Sequence, residues 1–226
     1  MHIEPGVVDG AKLALGYATG AASLAVAGKL AVDSIRHQGG PAAFLVRTVA
    51  TTALVFAFFE ILPHHPVGVS EVHLILGSTL FLLFGAGPTA IGLALGLLVQ
   101  GVFFAPADLP QYGMNVTTLI VPLLAMAALA RRIVPAGTPY VELDYGQALK
   151  LSTAYQGGIV AWVAFWALYG HGFGIANLQQ VASFGAAYMT VVILEPLVDL
   201  AVLAAAKGLR GLRRSRAFQP RLFRTA

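Results

Sequence analysis

Seven apolar stretches, most of them about 20 residues long, fill this chain almost from end to end: Gly10–Asp33, Pro41–Leu62, Ser70–Phe84, Pro88–Phe104, Val116–Val134, Ala148–Tyr169 and Val181–Ala206. A bilayer core of about 30 Å needs roughly 20 apolar residues per helix, and inside it only helices or closed barrels satisfy their own backbone. Charged residues make up 11% of the sequence, against about 25% in a soluble domain. Too little polar surface exists to face water all round. The expected fold is therefore all-α: a polytopic transmembrane helix bundle of about seven helices, forming one domain over residues 1–226.

The breaks between stretches carry turn-forming residues: Gly39-Gly40-Pro41, Pro63 and Pro66, Gly85-Ala86-Gly87-Pro88, Pro106 and Pro110, Pro135 to Pro139, and Gly170 to Gly174. The third stretch is short, so its first residues are expected below the membrane surface. Gly85 to Pro88 favours a hairpin between stretches three and four over one long kinked helix.

Lysine and arginine sort the loops into two sets. The N-terminus, Pro63–Val69, Ala105–Asn115 and Gly170–Gln180 contain neither residue, whereas Arg36, Arg47, Arg131, Arg132 and Lys150 mark the alternate side. The same side takes the tail, 207–226, with Lys207, Arg210, Arg213, Arg214, Arg216, Arg221 and Arg224. The positive-inside rule predicts an external N-terminus and a cytoplasmic C-terminus, with Lys12 the nearest exception. Because the basic run follows an apolar segment and is not interleaved with aromatics, it reads as a membrane flank and excludes a nucleic-acid partner. On the first helix, Ala14, Ala18 and Ala22, with Gly16 and Gly20, form small-residue stripes. Such stripes serve packing within a bundle or contact with a partner membrane subunit.

There is no cysteine, so disulfides and thiolate metal sites are excluded together. Six histidines remain: His2, His37, His64, His65, His73 and His171. The predicted topology puts His37 inside and the others outside, with His2, His64, His65 and His73 able to converge on one external face. The start, Met1-His2-Ile3-Glu4-Pro5-Gly6, lacks the basic region of a signal peptide and is expected to stay on the mature chain. His2 is too large to favour removal of Met1. The pair then offers three nitrogens: the Met1 amine, the His2 backbone amide and the His2 imidazole. They close two fused chelate rings around one ion, and a further imidazole completes a planar set of four. That geometry suits nickel(II) or copper(II), and cobalt(II) if the protein enforces it.

The opening hexapeptide resembles that of the CbiM/NikM family, the substrate-binding membrane subunits of energy-coupling-factor transporters for cobalt and nickel. Gly68-Val69-Ser70-Glu71-Val72-His73-Leu74-Ile75-Leu76-Gly77 is similar to that family's Gly/Ser-rich segment with a histidine entering a helix. Leu98-Val99-Gln100-Gly101-Val102-Phe103-Phe104-Ala105 and Tyr112-Gly113-Met114-Asn115 resemble its fourth helix and the following loop. The likeness runs in order through roughly the first 130 residues. It implies that Met1, His2 and His73 hold Co²⁺ or Ni²⁺ as transported substrate, in a bacterial cytoplasmic membrane, with residues 1–9 as the external chelating terminus.

Around that set, His64 and His65 are either a solvated loop pair or a capture site. Glu71 either accepts from an imidazole N–H or caps the third helix. Gln100 and Asn115 either hydrogen-bond the folded-back terminus or satisfy backbone at helix ends. His73 itself has an ordinary reading as a histidine at the membrane interface. Glu195 and Asp199 lie within the last apolar segment, where carboxylates are costly. Helix–helix or subunit contact is expected there, with Arg or Lys from neighbouring helices in reach of Asp199. The sequence has no phosphate-cradling Gly-rich loop with Lys-Ser/Thr, so the chain is not expected to hydrolyse ATP. The resemblance then implies separate ATP-binding subunits and a membrane coupling subunit. Two other readings are a solitary carrier without ATPases and a membrane-embedded metal hydrolase. The hydrolase needs an open metal position and a base, for which Glu71 is the nearby candidate.

Overall fold

The structure, a computed structural model, describes residue 3 and residues 5–209, 211 and 215–224. Among these, seven α-helices form a bundle: α1 (Leu13–His37), α2 (Gly40–Glu60), α3 (Gly77–Phe84), α4 (Ala86–Phe103), α5 (Tyr112–Ile133), α6 (Tyr145–His171) and α7 (Ile175–Gly208). A short antiparallel hairpin of β1 (His65–Val67) and β2 (Ser70–Val72) precedes α3. All helices but α3 are long and apolar enough to cross a bilayer.

The third apolar stretch departs from the expected helix over Ser70–Phe84. Pro63 and Pro66 remove amide donors and punctuate its approach, Gly68 turns the hairpin at φ 62°, and the valines around it suit extended backbone. The chain stays non-helical as far as Leu76, whose φ of 53° turns it into α3. A left-handed leucine costs about 1–2 kcal/mol, and it persists here inside a fully packed environment. Every residue of α3 is buried, against α2, α4, α5, α6 and α7. This is a protein-surrounded segment, and lipid touches none of it. Irregular backbone at membrane depth is tolerated in such a setting. At Gly85, φ 90°, the chain breaks and α4 begins, with Pro88 in its first turn.

The last loop is also shorter than expected. Residues 175–180, read as loop, belong to the first turns of α7, so only Gly172–Gly174 separate it from α6.

Small residues bring α1 and α5 together. A Cβ on Gly20 would meet Gly113 Cα at 2.6 Å, and one on Gly16 would meet the Met114 side chain at the same distance. The glycine stripe of α1 thus packs within the bundle, while Ala14, Ala18 and Ala22 are exposed on its outer face.

Opposite ends of the bundle are closed by different segments. At one end Ile3 pairs with Ser70, and Lys12 Nζ donates to Gly170 O at 2.9 Å, at the carbonyl end of α6. A cation there is favoured by the helix dipole, which accounts for a lysine so far from the other basic residues. At the other end the tail folds back. Gln219 Nε2 donates to Phe81 O and Leu82 O at 2.7 Å each, and its backbone N–H donates to Leu83 O at 2.9 Å. These are last-turn carbonyls of α3, of which Phe81 O also accepts the Gly85 N–H at 2.9 Å. Arg221 donates to Val134 O and Pro135 O and lies 4.9 Å over the Tyr140 ring. Leu222 is fully buried. The described part of the basic tail is therefore a structural cap.

Candidate metal site

The hairpin and the extended residues after it build the site. Alternation along β2 sends Ser70 inward, with Glu71 half-buried, and the next residues carry His73 into the bundle at 1% exposure. Tyr188 of α7 donates its hydroxyl to His73 O at 3.2 Å, so the backbone at this point is held from the far side. The Phe59 ring stands edge-on to the imidazole, centroids 5.0 Å apart.

His64 lies flat against His73, with ring centroids 4.8 Å apart and planes within 10°. Glu71 Oε2 is 3.5 Å from His73 Nε2. The ligating atoms of His64, Glu71 and His73 all fall within 4.8 Å of one another. Glu71 can accept a proton carried on His73 Nε2 and so fix the orientation of the ring. His64 Nδ1 is 3.3 Å from Leu62 O; a proton there leaves Nε2 as its free donor atom. Two imidazoles and a carboxylate make a nitrogen- and oxygen-donor set suited to a divalent transition metal.

The structure separates the remaining sequence candidates. His65 points to solvent from β1, one residue away from the inward-facing side, and does not join the cluster. Glu71 does not cap α3, which begins six residues later at Gly77. Asn115, buried at the start of α5, accepts the Ile3 backbone N–H on Oδ1 at 2.7 Å. Ile3 is itself buried and bridged to Ser70, three residues before His73. Gln100 is buried on α4 near the helix end, where its carbonyl accepts from Phe104 and Ala105. Met1 and His2 lie outside the described residues. His171 Nε2 sits 3.2 Å from Gly6 O and helps hold the N-terminal segment against the helix ends. A cavity of about 490 Å³ opens nearby between Val7, Gly68, Val69, His171, Asn177 and Gln180, and none of His64, Glu71 or His73 lines it.

Sequence reasoning missed Phe59 and Tyr188 as walls of the site. Each sits in a long apolar run, where an aromatic facing protein and one facing lipid look alike. It also misjudged the partners of Glu195 and Asp199. Both are fully buried, and their partners are Ser78, Thr79, Ser152 and Gln156, with no Arg or Lys among the described residues. The reason is depth: the pair meets the first turn of α3, and the enclosure of that helix by protein was not foreseen.

A search of curated proteins finds no match. A solved structure described as that of a transition metal transporter shares the fold, with a TM-score of 0.70 at 18% identity, over 92% of this chain and 93% of its own. The family model for the cobalt uptake substrate-specific transmembrane region, CbiM, matches residues 2–211. With that match spanning nearly the whole bundle, this chain belongs to the CbiM family of cobalt-uptake transmembrane proteins.

Proposed function

We propose that this chain is the metal-capturing membrane subunit of a cobalt or nickel uptake system of a bacterial cytoplasmic membrane. The Met1 amine, the His2 amide and imidazole, and His73 hold one Co²⁺ or Ni²⁺ at the external end of the bundle. Glu71 orients His73, and His64 takes the incoming ion before the terminus closes over it. The observation that carries this reading is the seat of Ile3. Its backbone is tied to Asn115 and Ser70, so the two residues bonded ahead of it start from a point beside the hairpin that carries His73. A chelating terminus needs such an anchor, because ordering a free chain end costs about 1–2 kcal/mol per residue in backbone entropy alone.

The basic face, with Arg131, Arg132 and the tail, lies on the cytoplasmic side in this reading. Separate ATP-binding subunits and a membrane coupling subunit dock there and drive release. Uptake of radioactive cobalt and nickel into cells lacking their own carriers tests the assignment, with the chain produced alone and together with the ATPase and coupling subunits of an energy-coupling-factor metal transporter. Accumulation that requires the added subunits is expected. Equal accumulation by the chain alone would make it a solitary carrier. No accumulation in either case, with no metal bound by the purified chain, would sink the reading.

A further inference from the structure

Glu195 and Asp199 stand one turn apart on α7 and are fully buried. Both bind the first turn of α3: Ser78 N–H donates to Glu195 Oε1 at 3.2 Å, Ser78 Oγ to Asp199 Oδ2 at 2.6 Å, and Thr79 Oγ1 to Asp199 Oδ1. From α6, Ser152 Oγ donates to Glu195 Oε2 at 2.9 Å, and the Gln156 amide lies 2.6 Å from the same oxygen. Two negative charges sharing one serine in a water-poor interior repel, and such pairs retain a proton. The α3 N-terminus supplies roughly half a positive charge, enough to favour one carboxylate but not two.

Gln156 identifies where the proton sits. Its Oε1 is fully buried and has no hydrogen-bond partner among the described residues. Half a rotation of the amide exchanges its oxygen and nitrogen and brings that acceptor to the position 2.6 Å from Glu195 Oε2, a length typical of an O–H donating to oxygen and short for an amide N–H, with the NH2 then in the place of the orphaned oxygen. Tyr155, whose ring presses on Gly77, has a buried hydroxyl that is also unpartnered. Tyr188, on α7 itself, donates its hydroxyl to His73 O, and Tyr145, Lys150, Tyr169 and His171 of α6 and Lys207 of α7 are exposed. The remaining titratable groups on elements packed against α7 are Tyr140, Glu142, His65 and Glu71. None of these bonds either carboxylate.

We propose that Glu195, Asp199 and Gln156 form an intramembrane proton-binding site in which one proton resides on Glu195 and Asp199 stays ionised. The site grips α3 at its N-terminal turn. α3 follows the His73 segment, and its C-terminal carbonyls are held by Gln219 of the tail. Loss of the proton tightens that grip and gain of it loosens it. Through α3 the site biases the element that links the metal end of the bundle to the basic end, a consequence that rests on the transport reading above.

Infrared spectroscopy of the full chain in an ester-free detergent tests the site. A protonated-carboxyl C=O band is expected at neutral pH, shifting in D₂O and disappearing in Glu195→Gln. No such band in the unaltered protein, or an undiminished band in Glu195→Gln, overturns the proposal. The unaltered protein alone decides it if the variant does not fold. Cobalt titration of the same sample reads the transport assignment separately: a band without metal binding retains the proton site and removes the other.

Discussion

Replacing Asn115 by alanine tests the anchor of the N-terminal segment without touching a proposed ligand. Asn115 Oδ1 accepts the Ile3 N–H at 2.7 Å, and both residues are buried. With alanine the N–H loses its partner where water does not easily replace it, a cost of about 1–3 kcal/mol. That cost falls on the docked terminus alone. If docking and chelation are one event, all of it appears in metal affinity, a loss of about 5- to 140-fold at 1.4 kcal/mol per factor of ten. A terminus already docked with free energy to spare shows only the fraction by which its docked population falls. Asn115→Asp keeps an acceptor in the same place and is expected to retain affinity within a few-fold. Calorimetric titration with Co²⁺ and Ni²⁺ reads all three proteins, and a thermal melt checks that the bundle is intact. Unchanged affinity in Asn115→Ala would refute docking and chelation as one event, and an aspartate variant as weak as the alanine one would refute the role of the acceptor.

Other substitutions probe the surroundings. His73→Ala is expected to lower metal affinity by at least tenfold while His65→Ala changes it less than twofold, because only the former reaches the cluster; equal effects in the same titration would contradict the geometry. Gly77→Ala would place a Cβ 2.1 Å from the Tyr155 ring and should cost about 1–3 kcal/mol by overpacking, seen as a lower melting temperature. Gln219→Ala removes two side-chain bonds to the end of α3. It is expected to cost about 1 kcal/mol per bond and to expose Arg216 and Arg221 to trypsin sooner while the bundle stays folded.

Much of the architecture was legible because a lipid solvent writes itself into hydropathy. The long runs that became α1, α2 and α4 to α7 were all visible as apolar stretches, with boundaries displaced by a few residues where a helix begins in a polar loop, as α5 does at Tyr112. Hydropathy does not say what surrounds a run. Ser70–Phe84 read as a short span because it is apolar, yet its neighbours are five other helices, and that enclosure permits a strand, a left-handed Leu76 and a helix of eight residues. The same blindness hid the setting of Glu195 and Asp199. Their cost in a membrane was plain, but their partners are hydroxyls and an amide from distant stretches. At the candidate metal site, the residue types pointed to chelation and the hairpin decided which could meet: His64 turns in and His65 turns out. The fold-back of the tail left no trace in a sequence that reads there as basic and soluble, since the decisive contacts are Gln219 and Leu222.

In the proposed site a free N-terminus and His73 hold one divalent metal together. Cobalt and nickel titrations of the purified chain, with its native start and with two residues added before Met1, address it most directly. A tight single ion in the native protein, lost in the extended one, is the predicted result. Equal binding by both proteins would contradict the terminal chelate and leave His64, Glu71 and His73 as the site.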